Sequence, residues 1–267
     1  MKIGVVPYLN GKPLVWGLER EPGIELVTDV PSRLAVMLET GEMAAGLVST
    51  IACFENAGLR IVPGVSISSD GPAESVKIFY RTPLESVRTV ALDTSSLTST
   101  ILARIVLKER HELLPEFVRM GPNLDSMLEA CDAAVVIGDT TMTAARDRWA
   151  SLDLGEEWSL LTGLPFVFAV WAVNPNLATP ELVDALVRSK QLGLDSLKEI
   201  SELEAQRLGL PVHVCHRYLS EIMNYDLTER HLRALKLFGE KVRLSGLAAG
   251  EGCIRLLEIA GSGVRRI

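Results

Sequence analysis

The chain has 267 residues, of which 48% are hydrophobic and 23% are charged, and its formal net charge is −7. A chain of this length can bury a large core and form two lobes, and its composition excludes a disordered protein. Acidic and basic residues are interleaved, so no basic patch indicates nucleic-acid binding.

The first 56 residues alternate strands with helices, which predicts a parallel sheet with right-handed crossovers. The predicted strands are 3–6, 24–28 and 44–48. The predicted helices are 13–19 and 31–40, and Gly41 ends the second one. The apolar run before Pro7 is too short for a signal peptide or a membrane span. We therefore expect a cytoplasmic protein without a membrane partner.

The alternation stops after Ile61, where residues 65–67 and 75–80 are predicted to be extended. A second α/β unit begins near Val87. Its predicted strands are 89–92, 116–120 and 133–137. Its predicted helices are 95–110, 123–130 and 139–149. The second unit therefore repeats the plan of the first.

The last third of the chain has a helical apolar period, with predicted helices 181–192, 195–208, 212–223 and 228–247. Two extended crossings near 76–84 and 164–172 would join the two units. We predict one lobe made of residues 1–82 and 170–267, and a second lobe made of 83–169. A ligand would bind in the cleft between them, and closure would be a hinge motion.

Polar loops follow four of the predicted strands, at the sheet edge where open α/β folds bind ligands. Hydroxyls and free N–H groups at helix N-termini bind carboxylates or phosphates. The four loops contain Tyr8 and Asn10, Ser49 and Thr50, the run 95–100, and Gly138 and Asp139. Together these loops predict a cleft for a small anion. No Gly-rich phosphate motif accompanies them, which favours a carboxylate over a nucleotide.

Helix capping is the simpler explanation for any single loop, because Ser, Thr and Asp are also the preferred N-caps. Asp139 could be a general acid or base, but its charge would repel an anion and capping explains it. Capping does not explain the run 95–100, since one cap needs one residue and the run has five hydroxyls. Lys12 either supplies positive charge to the cleft or is solvated.

The histidines and cysteines show no spacing typical of a metal site, and no nucleophile–base motif is present. We therefore expect neither a metal nor a cofactor. The four cysteines have apolar neighbours, which indicates reduced, buried thiols.

Five segments together resemble chorismate dehydratase, the first enzyme of the futalosine route to menaquinone. They are 8–14 (YLNGKPL), 46–49 (GLVS), 69–72 (SDGP), 134–139 (AVVIGD) and 162–171 (TGLPFVFAVW). The resemblance spans about residues 3–175. It implies an α/β fold like the two-lobed type 2 periplasmic binding proteins, with two crossover strands and a helical C-terminal tail. A sister family carries a histidine after the strand that ends here at Ile137, where this chain has Gly138 and Asp139.

The resemblance implies a carbon–oxygen lyase (a hydro-lyase) that converts chorismate into 3-[(1-carboxyvinyl)oxy]benzoate and water. Asn10 would be catalytic and would orient the departing hydroxyl or the proton acceptor, for which the substrate's enolpyruvyl carboxylate is the candidate. Tyr8 and Phe166 would form walls of the site. The other predicted substrate contacts are Ser49, Thr50, Ser75, Ser96, Thr98, Ser99, Gly138 and Asp139.

The partner of the protein would be this dianionic small molecule, and a homodimer is left open. The alternative function is a non-catalytic intracellular binding protein for an aromatic or dicarboxylate solute. The absence of an obvious base in the sequence favours that alternative. The absence of an export signal and of a DNA-binding helix pair argues against it.

Overall fold

The computed structural model describes residues 1–143, 148–247 and 253–258. In this part of the chain ten strands form two sheets of five. The first sheet consists of β1 (Lys2–Val5), β2 (Glu25–Thr28), β3 (Ala45–Ser49), β4 (Arg60–Ser69) and β10 (Phe166–Val173). The second consists of β5 (Val76–Tyr80), β6 (Thr89–Asp93), β7 (Glu116–Met120), β8 (Ala133–Ile137) and β9 (Ala150–Asp153).

Helices cover both sheets and form the C-terminal tail. Those before the tail are α1 (Lys12–Val15), α2 (Pro31–Glu39), α3 (Thr50–Glu55), α4 (Thr98–His111), α5 (Leu124–Ala130), α6 (Asp139–Thr143) and α7 (Leu154–Thr162). The tail contains α8 (Pro180–Asp195), α9 (Leu197–Leu208), α10 (Val212–Arg217) and α11 (Glu229–Ser245). A π-helical turn, Tyr218–Ile222, continues α10. No helix in the described ranges is long and apolar enough to cross a bilayer.

The two sheets have the same plan, as the two predicted units suggested. The first has the order β2-β1-β3-β10-β4, and the second has the order β7-β6-β8-β5-β9. Four strands of each sheet point in the same direction, and the fourth in order, β10 or β5, is antiparallel to both its neighbours. Because the carboxyl ends of parallel strands share one edge, the polar loops after β1 and β3 meet, as do those after β6 and β8.

The chain passes between the sheets through the links 70–75 and 154–165. The two predicted crossings, 76–84 and 164–172, instead contribute β5 and β10, which are hydrogen-bonded on both sides within their own sheets. An apolar run such as 166–173 is buried as an inner strand, because a linker would expose it to water. We therefore propose that the lobes divide within these links, and not at the predicted boundaries 82/83 and 169/170. Parts of the predicted range 170–267 lie outside the described residues.

Four elements differ from their predictions. The predicted helix 13–19 stops after Val15, because the backbone becomes extended at Trp16 (ψ 119°) and then turns at Gly17, which has a left-handed φ of 84°. The predicted helix 139–149 is helical at Asp139–Thr143, and its residues 144–147 lie outside the described part. Strand β9 and helix α7 were not predicted, although Asp153 is a favourable N-cap that accepts from the N–H groups of Gly155 and Glu156.

The helical tail agrees with its prediction and contacts both lobes. Helix α8 packs on α1 and β4, whereas α11 packs on β10 and α4. Phe238 of α11 lies 5.0 Å from the ring of Phe166 and 5.8 Å from those of Trp158 and Phe54. This aromatic cluster joins α3, α7, β10 and α11 into one core.

His231 at the N-terminus of α11 is expected to make the stability of the protein depend on pH. His231 Nδ1 accepts from the Thr228 N–H at 3.2 Å and lies 2.8 Å from Thr228 Oγ1. Burial lowers the pKa of the imidazole below its usual 6.5, although Asp226 and Asp70 act in the opposite direction. As the pH falls below about 6.5, the unfolded chain binds this proton first, so the free energy of unfolding should decrease. Above that pH the imidazole is neutral in both the folded and the unfolded chain, so its full contribution to the free energy of unfolding is present.

Urea unfolding between about pH 7.5 and pH 5 measures this dependence. The His231→Gln variant keeps an acceptor near the N-cap but cannot titrate, so its stability should decrease less over the same range. Equal slopes for the variant and the parent would show that another group causes the pH dependence.

Candidate active site

The polar loops of the two lobes meet around a cavity with about 530 Å³ of empty space, its open mouth included. Seven of the predicted site residues line it: Tyr8, Asn10, Ser49, Ser96, Thr98, Ser99 and Gly138. Apolar residues from both lobes complete the wall: Val6, Pro31, Ile67, Val76, Ile137, Phe168 and Ala169.

Four predicted contacts do not line this cavity, because each side chain has a partner elsewhere. Thr50 Oγ1 donates to the Val167 carbonyl at 2.8 Å, and the buried Ser75 hydroxyl accepts from Tyr218. Asp139 accepts from the Leu9 N–H and from Arg207 Nη2, each at 2.9 Å. Phe166 lies in the aromatic cluster described above. We propose that these four residues support the site and do not touch the ligand.

Phe168 lines the cavity in place of Phe166 and was not predicted as a site residue. A register shift between Val167 and Ala169 lets Phe168 and its neighbour Ala169 both border the same space. In a regular strand, successive side chains point to opposite faces of the sheet, so the sequence pattern predicts that only every second residue lines a given cavity. It could not have indicated two adjacent lining residues.

The N-terminus of α4 provides hydroxyls to one side of the cavity. Ser96 Oγ accepts from the Ser99 N–H in the first turn of the helix at 3.3 Å. Thr98 Oγ1 accepts from the N–H of Ile51 in α3 at 3.1 Å, so this contact joins the two lobes. A hydroxyl that accepts in this way keeps its own proton for a ligand. The helix dipole adds positive potential at the same place.

Ser49 gives the strongest indication that this cavity binds a polar ligand. Its side chain is only 6% exposed and lines the cavity, and its Oγ has no hydrogen-bond partner within the described ranges. A buried hydroxyl left unpaired costs about 1–3 kcal/mol. A polar ligand group would remove that cost.

Tyr8 and Gly138 approach each other across the cleft. Burial raises the pKa of the Tyr8 hydroxyl, with Asp93 and Asp139 adding to the effect and a hydrogen bond to Ser95 opposing it. The group therefore stays a neutral phenol. Gly138 has φ 73°, and a Cβ built on it would lie 2.6 and 2.7 Å from two atoms of the Tyr8 ring. Only glycine fits at this position.

Asn10 lies in the 3₁₀ turn Leu9–Gly11, directly after β1. Its side chain lines the cavity, and its turn packs against the π-helical turn Tyr218–Ile222 of the helical tail. No motif marks this contact, because it joins segments that are far apart in the chain.

None of the described residues that line the cavity is charged. Lys12 neither faces it nor is fully solvated, because Lys12 Nζ pairs with Glu204 at 3.3 Å. The same glutamate pairs with Arg207, which in turn pairs with Asp139. The chemistry available to a ligand is therefore that of neutral donors, a helix N-terminus and apolar walls.

Solved structures with the same fold include protein AF1704 from Archaeoglobus fulgidus. It is 19% identical with a TM-score of 0.73, and the alignment covers 92% of this chain and 97% of that one. Another is the alkanesulfonate-binding protein SsuA from Xanthomonas axonopodis pv. citri, 16% identical with a TM-score of 0.66 and 92% of each chain covered. These similarities confirm the predicted two-lobed fold of the periplasmic-binding-protein type.

A family model described as menaquinone biosynthesis matches residues 1–243. The chorismate dehydratase of Thermus thermophilus is 33% identical over 261 residues, which cover 91% of this chain and 95% of that protein. The chorismate dehydratase of Campylobacter jejuni is 24% identical, with 93% of this chain and 100% of that protein covered. The match reaches well into the helical tail, beyond the predicted limit near residue 175.

Proposed function

This chain belongs to the menaquinone biosynthesis family, and we propose that it is a chorismate dehydratase, a hydro-lyase that converts chorismate into 3-[(1-carboxyvinyl)oxy]benzoate and water. One observation carries the proposal: Asn10 and the hydroxyls of residues 96–99 border a single uncharged cavity between the lobes. The 33% identity to a chorismate dehydratase supports the choice of substrate.

The reaction needs little chemical help from the protein. The C3 proton and the C4 hydroxide leave together as water, and the electron pair of the C3–H bond completes an aromatic ring. The ring carboxylate acidifies that proton through the diene. The protein must hold a dianion, align the two leaving groups and exclude bulk water. A cavity of neutral donors between apolar walls meets these needs.

We propose that Ser49, Ser96, Thr98 and Ser99 bind the substrate's carboxylates. The Thr98→Ala/Ser99→Ala double variant should raise the KM for chorismate by roughly 10²- to 10⁴-fold, because each of the two lost bonds to a charged group costs about 1.5–3 kcal/mol. Steady-state kinetics measure the effect. Thr100→Ala is the matched control, since Thr100 Oγ1 donates to the Leu97 carbonyl at 2.8 Å outside this cavity. Unchanged kinetics in the double variant would remove this loop from the site.

We propose that Asn10 orients the departing C4 hydroxyl and that the substrate's enolpyruvyl carboxylate accepts the C3 proton. The absence of a charged side chain among the described lining residues supports a proton acceptor within the substrate. In this proposal Tyr8 and Phe168 form the walls beside the ring. The cytoplasmic location and the homodimer remain predictions.

One assay separates the proposed enzyme from a binding protein. Purified protein is mixed with chorismate, and the products are followed by mass spectrometry for the loss of one water molecule. We expect conversion to a product with the ultraviolet spectrum of a substituted benzoate. Saturable binding of chorismate without conversion would favour the non-catalytic alternative.

A further inference from the structure

We propose that Arg207 of α9 is a positioning residue that holds the turn Leu9–Gly11, and Asn10 within it, in place beside the substrate. The inference rests on the proposed function and deepens it, because Asn10 is the proposed catalytic residue. Arg207 does not border the cavity. It would therefore act on the reaction only through the turn, and it gives the helical tail a part in the chemistry.

Asp139 of the second lobe holds the first end of this turn. Its Oδ1 accepts from the Leu9 N–H at 2.9 Å, and its Oδ2 accepts from Arg207 Nη2, also at 2.9 Å. The side chain of Asp139 is only 16% exposed. One carboxylate thus joins the residue before Asn10 to the guanidinium group of the tail.

Glu204, one helical turn before Arg207 in α9, holds the other end. Its Oε1 lies 3.3 Å from the Nζ of Lys12, the residue that directly follows the turn. Its Oε2 accepts from Arg207 Nε at 2.6 Å. Arg207 therefore uses two of its nitrogens to join the carboxylates at both ends of the turn. The rigid, planar arrangement of donors in a guanidinium group suits such a bridge.

The charges of these four side chains alternate in sign and sum to zero. Gly138, the neighbour of Asp139, borders the cavity, so an uncompensated carboxylate here would lie near the bound dianion. The two cations offset both carboxylates. Because the Arg207 side chain is 45% exposed, its ion pairs should contribute little to folding stability. We therefore expect its loss to change the placement of the turn more than the stability of the protein.

The first test compares Arg207→Met with the matched control Arg188→Met. Arg188 lies in α8 of the same tail, and its Nη2 pairs with Glu21 at 3.1 Å. Arg207→Met should lower kcat by about 10- to 100-fold with KM within about threefold, because the reacting group is displaced while the proposed carboxylate contacts remain. Arg188→Met should keep both constants near those of the parent. An unchanged kcat in Arg207→Met, or an equal loss in both variants, would overturn the proposal.

Two further variants separate bridging from charge. Arg207→Lys keeps the positive charge, but a single ammonium group should not bridge both carboxylates, so kcat should fall between those of Arg207→Met and the parent. Lys12→Met frees one end of the turn and leaves the Leu9 contact intact, so its loss should be smaller than that of Arg207→Met. Full activity in Arg207→Lys, or a loss in Arg207→Met confined to KM, would show that Arg207 only compensates charge.

A double-mutant cycle tests whether Arg207 acts through Asn10. In an Asn10→Ala background, Arg207→Met should cause almost no further loss of kcat, since the group that it positions is gone. A general structural role predicts the full loss in both backgrounds, together with a lower free energy of unfolding in urea. That result would contradict the inference.

Hydrogen exchange at the Leu9 amide tests the contact without reference to activity. Arg207→Met should accelerate this exchange by at least about tenfold, whereas Arg188→Met should not change it. If the parent does not dehydrate chorismate, the proposed function is wrong, and the exchange rate alone decides whether Arg207 holds the turn. If the parent is active but the cycle is additive or the exchange rate is unchanged, the function stands and the role of Arg207 is wrong.

Discussion

Asn10→Ala should lower the kcat for chorismate by roughly 10²- to 10³-fold, the effect of removing one preorganised donor at a reacting group. Asn10 supplies the amide group that borders the cavity in the described part of the chain. The loss should appear in kcat, with KM within a few-fold, because the proposed carboxylate contacts come from other residues. Steady-state kinetics together with calorimetric titration of chorismate measure the two quantities separately.

Asn123→Ala is the matched control for this variant. Asn123 caps α5 by accepting from the Ser126 N–H at 2.9 Å, and it lies outside the cavity. Its loss should cost about 1 kcal/mol of stability and leave the kinetics unchanged. Normal turnover by Asn10→Ala would show that another group aligns the leaving hydroxyl.

Gly138→Ala should lower kcat/KM by about 100-fold or more. A Cβ at this position would lie 2.6 Å from the Tyr8 ring, so the two lobes could not approach as closely as they do. A displacement of about an ångström at a reacting centre can cost about 100-fold in rate. Weaker binding of chorismate should accompany the loss, since Tyr8 is a proposed wall of the site.

The strain of the backbone must be separated from the contact with Tyr8. Gly64 serves as the control, because it has φ 77° but nothing within 4 Å of a built Cβ. Gly64→Ala should lose a similar amount of stability in urea unfolding and keep its kcat/KM. An equal loss of kcat/KM in both variants would show that strain, and not the Tyr8 contact, causes the effect.

Both predictions depend on contacts that hold the two lobes together. The Leu9 N–H donates to Asp139, the Ile51 N–H donates to Thr98, and Tyr8 lies against Gly138. Each contact pairs a residue of the first lobe with a residue of the second, next to the cavity. We propose that a hinge motion which admits the substrate must break these contacts, and that the bound dianion helps to restore them.

Two kinds of sequence pattern indicated the fold and most of the site. Alternation of strands and helices predicted the two parallel units, because the apolar period of a segment is a local property. The loops after β1, β3, β6 and β8 could be located because parallel strands end at one edge of a sheet. Seven of the predicted site residues, among them Asn10, Ser49 and Thr98, consequently border one cavity.

Contacts between distant residues could not be inferred in this way. Residue types alone do not show whether a hydroxyl or carboxylate is satisfied, and partners of Thr50, Ser75 and Asp139 lie 68 to 143 positions away. Phe168 takes the place of Phe166 because of a register shift that involves the neighbouring strand.

The sequence by itself determined the family, the two-lobed plan and the loops that form the cleft, since these follow from local periods and short motifs. Only the tertiary structure decided which polar side chains remain available to a ligand. It placed the turn Tyr218–Ile222 against the turn Leu9–Gly11 and the Tyr8 ring against Gly138. The physical reason is that a hydrogen bond or a close contact depends on the positions of both partners, and only the folded chain brings these partners together.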